Sequence, residues 1–352
     1  MKIRVGILGA TGAVGQKFIS LLEGHPWFEI TAVAASARSA GRAYGEVVNW
    51  IEKGPIPEAI ARLEVQEARS DHPNLACDFV FSGLDASVAG DVEEAFARAG
   101  YAVISNAKNF RMHPDVPLLI PEVNPEHLAL IERQDWGSSG YIVTNPNCAS
   151  VGLTMTLKPL HDAFGIKQVH VTTMQALSGA GYPGVASLDA LGNVVPHIGG
   201  EEDKLETEPQ RLLGGLEVPA DFETSAQCNR VPVVDGHTAC VSVSFVRPPS
   251  SLDAVQKAIR AFRPPSEVNG LPTSPDRALE LLGPENAPQP RTHVDLGKGM
   301  TVSIGRLRPC PLLDVKFVCL VHNTIRGAAG GAILNAELLA QKGKILRKNS
   351  EL

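Results

Sequence analysis

Cys148 lies in the run Thr144-Asn145-Pro146-Asn147-Cys148-Ala149-Ser150, between a strand-like apolar stretch (Tyr141 to Val143) and a helix-like one (Val151 to Phe164). A thiol at a helix start sits beside unpaired N–H groups and the positive end of the peptide dipoles. These lower its pKa and can donate to an oxyanion formed next to it. Acyl transfer through sulfur is the chemistry such a position allows. His237 follows the turn signal Asp235-Gly236 and opens an alternating run, Thr238 to Val246, from which an imidazole can reach a cleft and move a proton near neutrality. Arg230 carries a fork suited to a carboxylate. Gln175 ends the strand-like run Gln168 to Gln175, and the glycine-rich stretch Ala176 to Gly184 can bring backbone close to a ligand. The carboxylates of Glu201 to Glu206 read, by composition, as a solvated helix start.

The elements that must position these groups alternate between strand and helix. Ile3 to Leu8 is an apolar strand run, followed by Gly9-Ala10-Thr11-Gly12-Ala13-Val14-Gly15, and then by Val14, Phe18, Leu21 and Leu22 on one helical face. Strand, glycine turn and amphipathic helix place backbone N–H groups against a pyrophosphate, which identifies a dinucleotide site. The next strand, Phe28 to Ala35, does not end on the acidic residue that would hold a free ribose 2′-hydroxyl. Ser36, Arg38 and Ser39 follow instead, and their hydroxyls and guanidinium favour a 2′-phosphate, hence NADP over NAD.

Asp78 to Leu84 and Tyr101 to Ser105 read as further strands around a helix, Ala86 to Ala99, giving a parallel doubly wound sheet. Gly41 to Asp71, rich in proline and charge, reads as a mobile flap. Val315 to Val321 is a strand that leads to a helix ending at Leu339. Arg263 to Pro275 and Gly283 to Arg291 read as excursions of a second domain.

With 352 residues and 44% hydrophobic content, the chain can bury one large or two ordinary cores without staples. Its six cysteines form no Cys-x-x-Cys pair and no zinc-type spacing, so no metal site is expected and the thiols suit the cytoplasm. No signal peptide or bilayer-spanning run is visible, and a net charge of −6 offers no footprint for nucleic acid.

Taken together, GATGAVG at Gly9, the Ser36 to Gly41 run, SNAKNFR ending at Arg111, PNC at Cys148, QALSGAGYPG from Gln175, GGEEDK ending at Lys204, NRVPVVDGH ending at His237 and HNTIRGAAGG from His322 resemble the aspartate-β-semialdehyde dehydrogenase family, in its archaeal and fungal branch. The resemblance covers almost the whole chain. It implies an α/β fold: a Rossmann dinucleotide-binding domain (1–149), completed by a C-terminal helix (327–352), and an α+β catalytic and dimerisation domain (150–326). It further implies NADP-dependent reduction of 4-phospho-L-aspartate to L-aspartate 4-semialdehyde in lysine, threonine and methionine biosynthesis, by a homodimer or homotetramer with no membrane or nucleic-acid partner. Under the resemblance Cys148 is the nucleophile, His237 the general acid/base, and Gln175 orients the substrate. Arg230 clasps the α-carboxylate and Glu201 the amino group. Lys204 and Arg111 take the phosphate, with Asn147 assisting. Gly9, Thr11, Gly12, Ala13, Val14, Ser36, Arg38, Ser39, Ser178, Gly179 and Asn323 are the matching NADP contacts. The nearest competing reading is malonyl-CoA reductase, a relative that reduces a CoA thioester.

Overall fold

In a computed structural model, which describes residues 2–69 and 75–345, two six-stranded sheets form the framework. The first contains β1 (Ile3–Leu8), β2 (Phe28–Ala35), β3 (Val65–Glu67), β4 (Phe79–Ser82), β5 (Ala102–Ser105) and β6 (Tyr141–Thr144). All its pairings are parallel, in the order β3-β2-β1-β4-β5-β6. This is the Rossmann arrangement, with the chain reversing direction across the sheet at β1 and β4 and opening a crevice beyond the carboxyl ends. Strands β4, β5 and β6 are buried at every position, because helices cover both faces of a parallel sheet.

The second sheet contains β7 (Ile166–Gln175), β8 (Glu223–Arg230), β9 (His237–Phe245), β10 (Leu279–Leu281), β11 (Val302–Pro309) and β12 (Val315–Val321). Its order is β10-β11-β12-β9-β7-β8, and it is mixed: β7 runs parallel to β8 and antiparallel to β9. Burial alternates along β9, with Val241 and Val243 facing a core that also holds Leu153 and Leu157 of the Cys148–Phe164 helix and Leu205 of the Glu201–Leu213 helix. Period-two patterning with one buried face is what a sheet covered on one side requires.

Two segments depart from the sequence expectation. The stretch that reads as a flap is packed as far as Ala68. It forms helical turns at Tyr44–Val47 and Glu58–Ala61 and then pairs β3 with β2. The Gln16 side chain receives a hydrogen bond from Ile51 N–H (2.8 Å) and donates to Asn49 O (3.0 Å), while Tyr44 Oη donates to Ala10 O (2.9 Å). Proline and charge on the surface of the segment hid these anchors; Asp71 lies outside the described residues. The excursion at Arg263 to Pro275 joins the first core, not the second, through Val268 and Leu271. Its Thr273 N–H also donates to Glu337 Oε2 (3.0 Å) on the last helix, Gly330–Gln341. That helix packs Ile333, Leu334, Leu338 and Leu339 into the same core as Phe18 and Phe28, so the chain returns to its first sheet. Residues 346–352 of the expected C-terminal helix lie outside the described residues.

Candidate active site

The ends of three strands converge on one sulfur. Gln175 and Arg230 are register partners at the carboxyl ends of the parallel strands β7 and β8, and His237 begins the antiparallel β9 at the same end of the sheet. Mixed topology therefore gathers three side chains that are far apart in the chain. Cys148 is the first residue of a long helix capped by Asn147, whose Oδ1 accepts from Ala149 N–H (2.9 Å) and Ser150 N–H (3.2 Å). Capping of this kind stabilises a helix by about 1 kcal/mol.

Cys148 Sγ lies 3.1 Å from His237 Nε2. The other ring nitrogen, Nδ1, accepts the Ala176 N–H (3.0 Å), which orients the imidazole and places the hydrogen of the neutral ring on Nε2. Burial, and then Arg230, lower the His237 pKa to about 3. Burial pushes the Cys148 thiol up to about 12, with the Glu201 carboxylate adding to the rise and Arg111 and Lys204 opposing it. The sequence expectation of a thiol lowered by its helix start is thus reversed: desolvation outweighs the peptide dipoles, and both partners rest neutral.

Beside the sulfur is a cluster of charges. Glu201 accepts from Lys204 Nζ (2.6 Å), Asn147 Nδ2 (2.9 Å) and Gln175 Nε2 (3.1 Å). Burial alone would raise the Glu201 carboxyl, yet Lys204 and these donors hold it below its ordinary value. The expected solvated helix start is instead a buried carboxylate with three partners. Arg230, also buried, donates from Nη1 to Ala176 O (2.7 Å), and its backbone is paired with Val195. Arg111 reaches Glu208 (3.0 Å) and Asn106 O (2.8 Å). Asn147, with its oxygen on the cap and its amide on Glu201, has both ends engaged.

Gly179 closes the cluster: a Cβ there would stand 2.8 Å from His237 Cε1 and 2.9 Å from Arg230 Nη1. Only hydrogen fits at that approach. Asn323 ties the same loop to β9, its Oδ1 accepting from Gly236 N–H (2.8 Å) and its Nδ2 donating to Ser178 Oγ (2.8 Å).

Two groups escaped sequence reading. Gly327 lies in a single π-helical turn, Ile325–Ala329, and a Cβ on it would be 2.6 Å from Cys148 Cβ. Next to it, the buried Arg326 forks onto Glu122 (2.7 Å for each pair), and removing one partner of such a bridge costs about 3–5 kcal/mol. Glu208 is the other group. Its position on the same helical face as Glu201 and Lys204 was the only signal available.

The expected NADP loop lies on the first sheet. A Cβ on Gly9 would be 2.7 Å from Gly83 O, and one on Gly15 would be 2.3 Å from Gly9 O, so the turn between β1 and the Ala13–Leu22 helix can be built only with glycine. That helix has neither a capping side chain nor an acidic residue in its first turn, and its N-terminus, around Thr11, Gly12, Ala13 and Val14, suits an external anion. Ser36 and Arg38 are exposed beyond the end of β2, with Ser39 half-buried.

A Rossmann sheet joined to a mixed sheet of this design is the architecture of the semialdehyde dehydrogenases. The family model described as "Semialdehyde dehydrogenase, NAD binding domain" matches residues 4–131, and "Semialdehyde dehydrogenase, dimerisation domain" matches residues 157–326. An aspartate-semialdehyde dehydrogenase of Cryptococcus neoformans is 50% identical, covering 98% of each chain. That of Methanothermobacter thermautotrophicus is also 50% identical, covering 96% of this chain and 99% of its own. The crystal structure of aspartate semialdehyde dehydrogenase with NADP from Candida albicans superposes with a TM-score of 0.90 at 45% identity, covering 98% of this chain and all of the other. The chain belongs to the aspartate-semialdehyde dehydrogenase family. These relatives carry the semialdehyde name and give no support to the CoA-thioester alternative. No helix among the described residues is long and apolar enough to cross a membrane.

Proposed function

We propose that this chain catalyses the NADPH-dependent reductive dephosphorylation of 4-phospho-L-aspartate to L-aspartate 4-semialdehyde, by way of an acyl-thioester on Cys148. The observation that carries the reading is the 3.1 Å approach of Cys148 Sγ to His237 Nε2 at a helix start, beside a buried carboxylate and a buried guanidinium of opposite charge. An amino-acid substrate bears both complementary charges.

Arg230 takes the α-carboxylate and Glu201 the ammonium, and Gln175 orients the acyl group. Lys204 and Arg111 receive the phosphate, with Asn147 holding the nucleophile's helix in place. The sulfur attacks the acyl carbon, forming a C–S bond and breaking the C–O bond to phosphate, which leaves as inorganic phosphate. Gly9, Thr11, Gly12, Ala13 and Val14 would cradle NADPH, with Ser36, Arg38 and Ser39 toward its 2′-phosphate and Ser178, Gly179 and Asn323 toward its nicotinamide, and the cofactor so held would supply the hydride that reduces the thioester carbon. The C–S bond of the resulting thiohemiacetal then breaks and the aldehyde departs. The thiol proton leaves on the departing phosphate; when the tetrahedral alkoxide left by reduction re-forms its C=O and the C–S bond breaks, His237 gives its Nε2 proton, already aimed at the sulfur, to the released thiolate and is reprotonated from solvent. Because attack requires thiolate, an ammonium paired with Glu201 assists by neutralising a charge that raises the thiol pKa.

Residues 1–149 with 327–352 form the cofactor unit in this reading, and 150–326 the catalytic and pairing unit of a cytoplasmic homodimer or homotetramer. The test is phosphate-dependent reduction of NADP by aspartate semialdehyde, with malonyl-CoA and NADPH as the control pair, together with mass spectrometry of quenched turnover. An acyl adduct on the Cys148 peptide is expected. Absence of both adduct and phosphate dependence would remove the proposal.

A further inference from the structure

Glu208 has no part in the chemistry described so far, yet it is buried at 2% exposure and its two oxygens serve different elements. Oε1 accepts from Arg111 Nη1 (3.0 Å), on the loop that follows β5 of the first sheet. Oε2 accepts the backbone N–H of Asn147 (2.6 Å), the cap of the nucleophile's helix. The Glu201–Leu213 helix that carries Glu208 also presents Glu201 and Lys204 to the site, and its Lys204 carbonyl accepts from Ser150 Oγ (3.4 Å).

We propose that Glu208 is a positioning residue that fixes the anion-binding guanidinium of Arg111 relative to the Cys148 sulfur by gripping Arg111 and the start of the Cys148 helix with one carboxylate. This rests on the reading of Arg111 and Lys204 as the phosphate side of the site.

The choice of side chain follows from hydrogen-bond inventory. Both partners of Glu208 are donors, a guanidinium N–H and a peptide N–H, and a carboxylate alone offers an acceptor to each. Glutamine would have to turn its own NH2 toward one of them, leaving two donors facing each other in a buried place. Aspartate is one methylene too short to span both. Among the described residues the Arg111 side chain is otherwise held only by Asn106 O, and its Nε has no partner. Without Glu208 the guanidinium is free to turn away from the position where phosphate departs. An uncompensated buried charge also has a strong reason to move toward water. The consequence is selective: phosphate recognition and the set of the Cys148 helix depend on Glu208, whereas the glycine loop on β1 shares none of its contacts.

The experiment uses the full chain with Glu208→Gln and Glu208→Asp. Phosphate, aldehyde and NADP are varied separately in the oxidative assay, and Cys148 alkylation by iodoacetamide is followed without substrates. The phosphate KM should rise roughly tenfold in Glu208→Gln while the NADP KM stays within about twofold, since a hydrogen bond to a charged group is lost at one side of the site only. Cys148 alkylation should change rate in the same variants. A phosphate KM indistinguishable from the parent enzyme, or phosphate and NADP constants rising together, overturns the proposal. So does failure of both variants to fold, which would make Glu208 a residue of the scaffold. If the parent enzyme itself shows no phosphate-dependent reduction, the proposed function fails instead, and alkylation still reports whether Glu208 holds the Cys148 helix.

Discussion

The two sheets build their candidate sites in opposite ways. At the end of the first, the expected cofactor surface is mostly backbone: Gly9 and Gly15 have no room for a side chain, and the helix that follows is left uncapped. At the end of the second, Gln175, Arg230 and His237 converge as side chains from three strands onto a sulfur supplied by a helix. A surface made of backbone is damaged by adding atoms, and one made of side chains by removing them. At Gly179, where a Cβ would strike His237 and Arg230, and at Gly327, where one would strike Cys148, the second site borrows the device of the first.

The sharpest way to break this contrast is Cys148→Ser. Turnover should fall on the order of a thousandfold or more while NADPH affinity holds, because a hydroxyl is a far poorer nucleophile and the glycine loop is untouched. Stopped assays with cofactor titration by fluorescence check both halves of that statement, and an active variant would end the thioester mechanism. Arg230→Lys should raise the substrate KM by roughly ten- to a hundredfold through loss of a bidentate pair, with the cofactor constant unmoved. Steady-state kinetics with aspartate semialdehyde would show it. Conversely, Ser36→Ala with Arg38→Ala should weaken NADPH several-fold relative to NADH and leave substrate constants alone; an unchanged cofactor ratio would place the 2′-phosphate elsewhere.

The smallest effect concerns stability. Glu93 is buried beneath β4 and β5 with Ser105 Oγ donating to it (2.7 Å), and burial raises its carboxyl to about 7, above the ordinary 4.5. A raised folded-state pKa contributes stability below pH 4.5 that is lost as pH climbs through about 7. Glu93→Gln should therefore narrow the loss between those pH values, gaining roughly 2–4 °C in Tm over the parent protein at pH 8 compared with pH 5. Thermal melts of both proteins at the two pH values measure it.

Much of the framework was legible because its signals are local. β1 spans the run read from its apolar residues, and the Cys148 helix ends at Phe164 as expected, since Gly165 adopts a positive φ of 65°. The supposed flap was misread because its helical turns at Tyr44–Val47 and Glu58–Ala61 are too short to show a period, and its anchors, Gln16 and Tyr44, bond to backbone that any sequence would supply. Glu208 was invisible for a related reason: within Glu201 to Glu208 one carboxylate looks like another, and which of them face inward depends on what the helix packs against.

The sequence by itself determined where chain direction changes and where no side chain can stand, because glycine spacing and apolar periodicity act over a few residues. It also named the chemically able groups Cys148, His237 and Arg230, whereas Glu201 read by composition as one solvated carboxylate among several. Tertiary structure alone decided their protonation and partnerships. The direction of the Cys148 pKa, the tautomer of His237 and the double grip of Glu208 arise from desolvation and from contacts between residues distant in the chain, and neither quantity exists until the two sheets have closed around them.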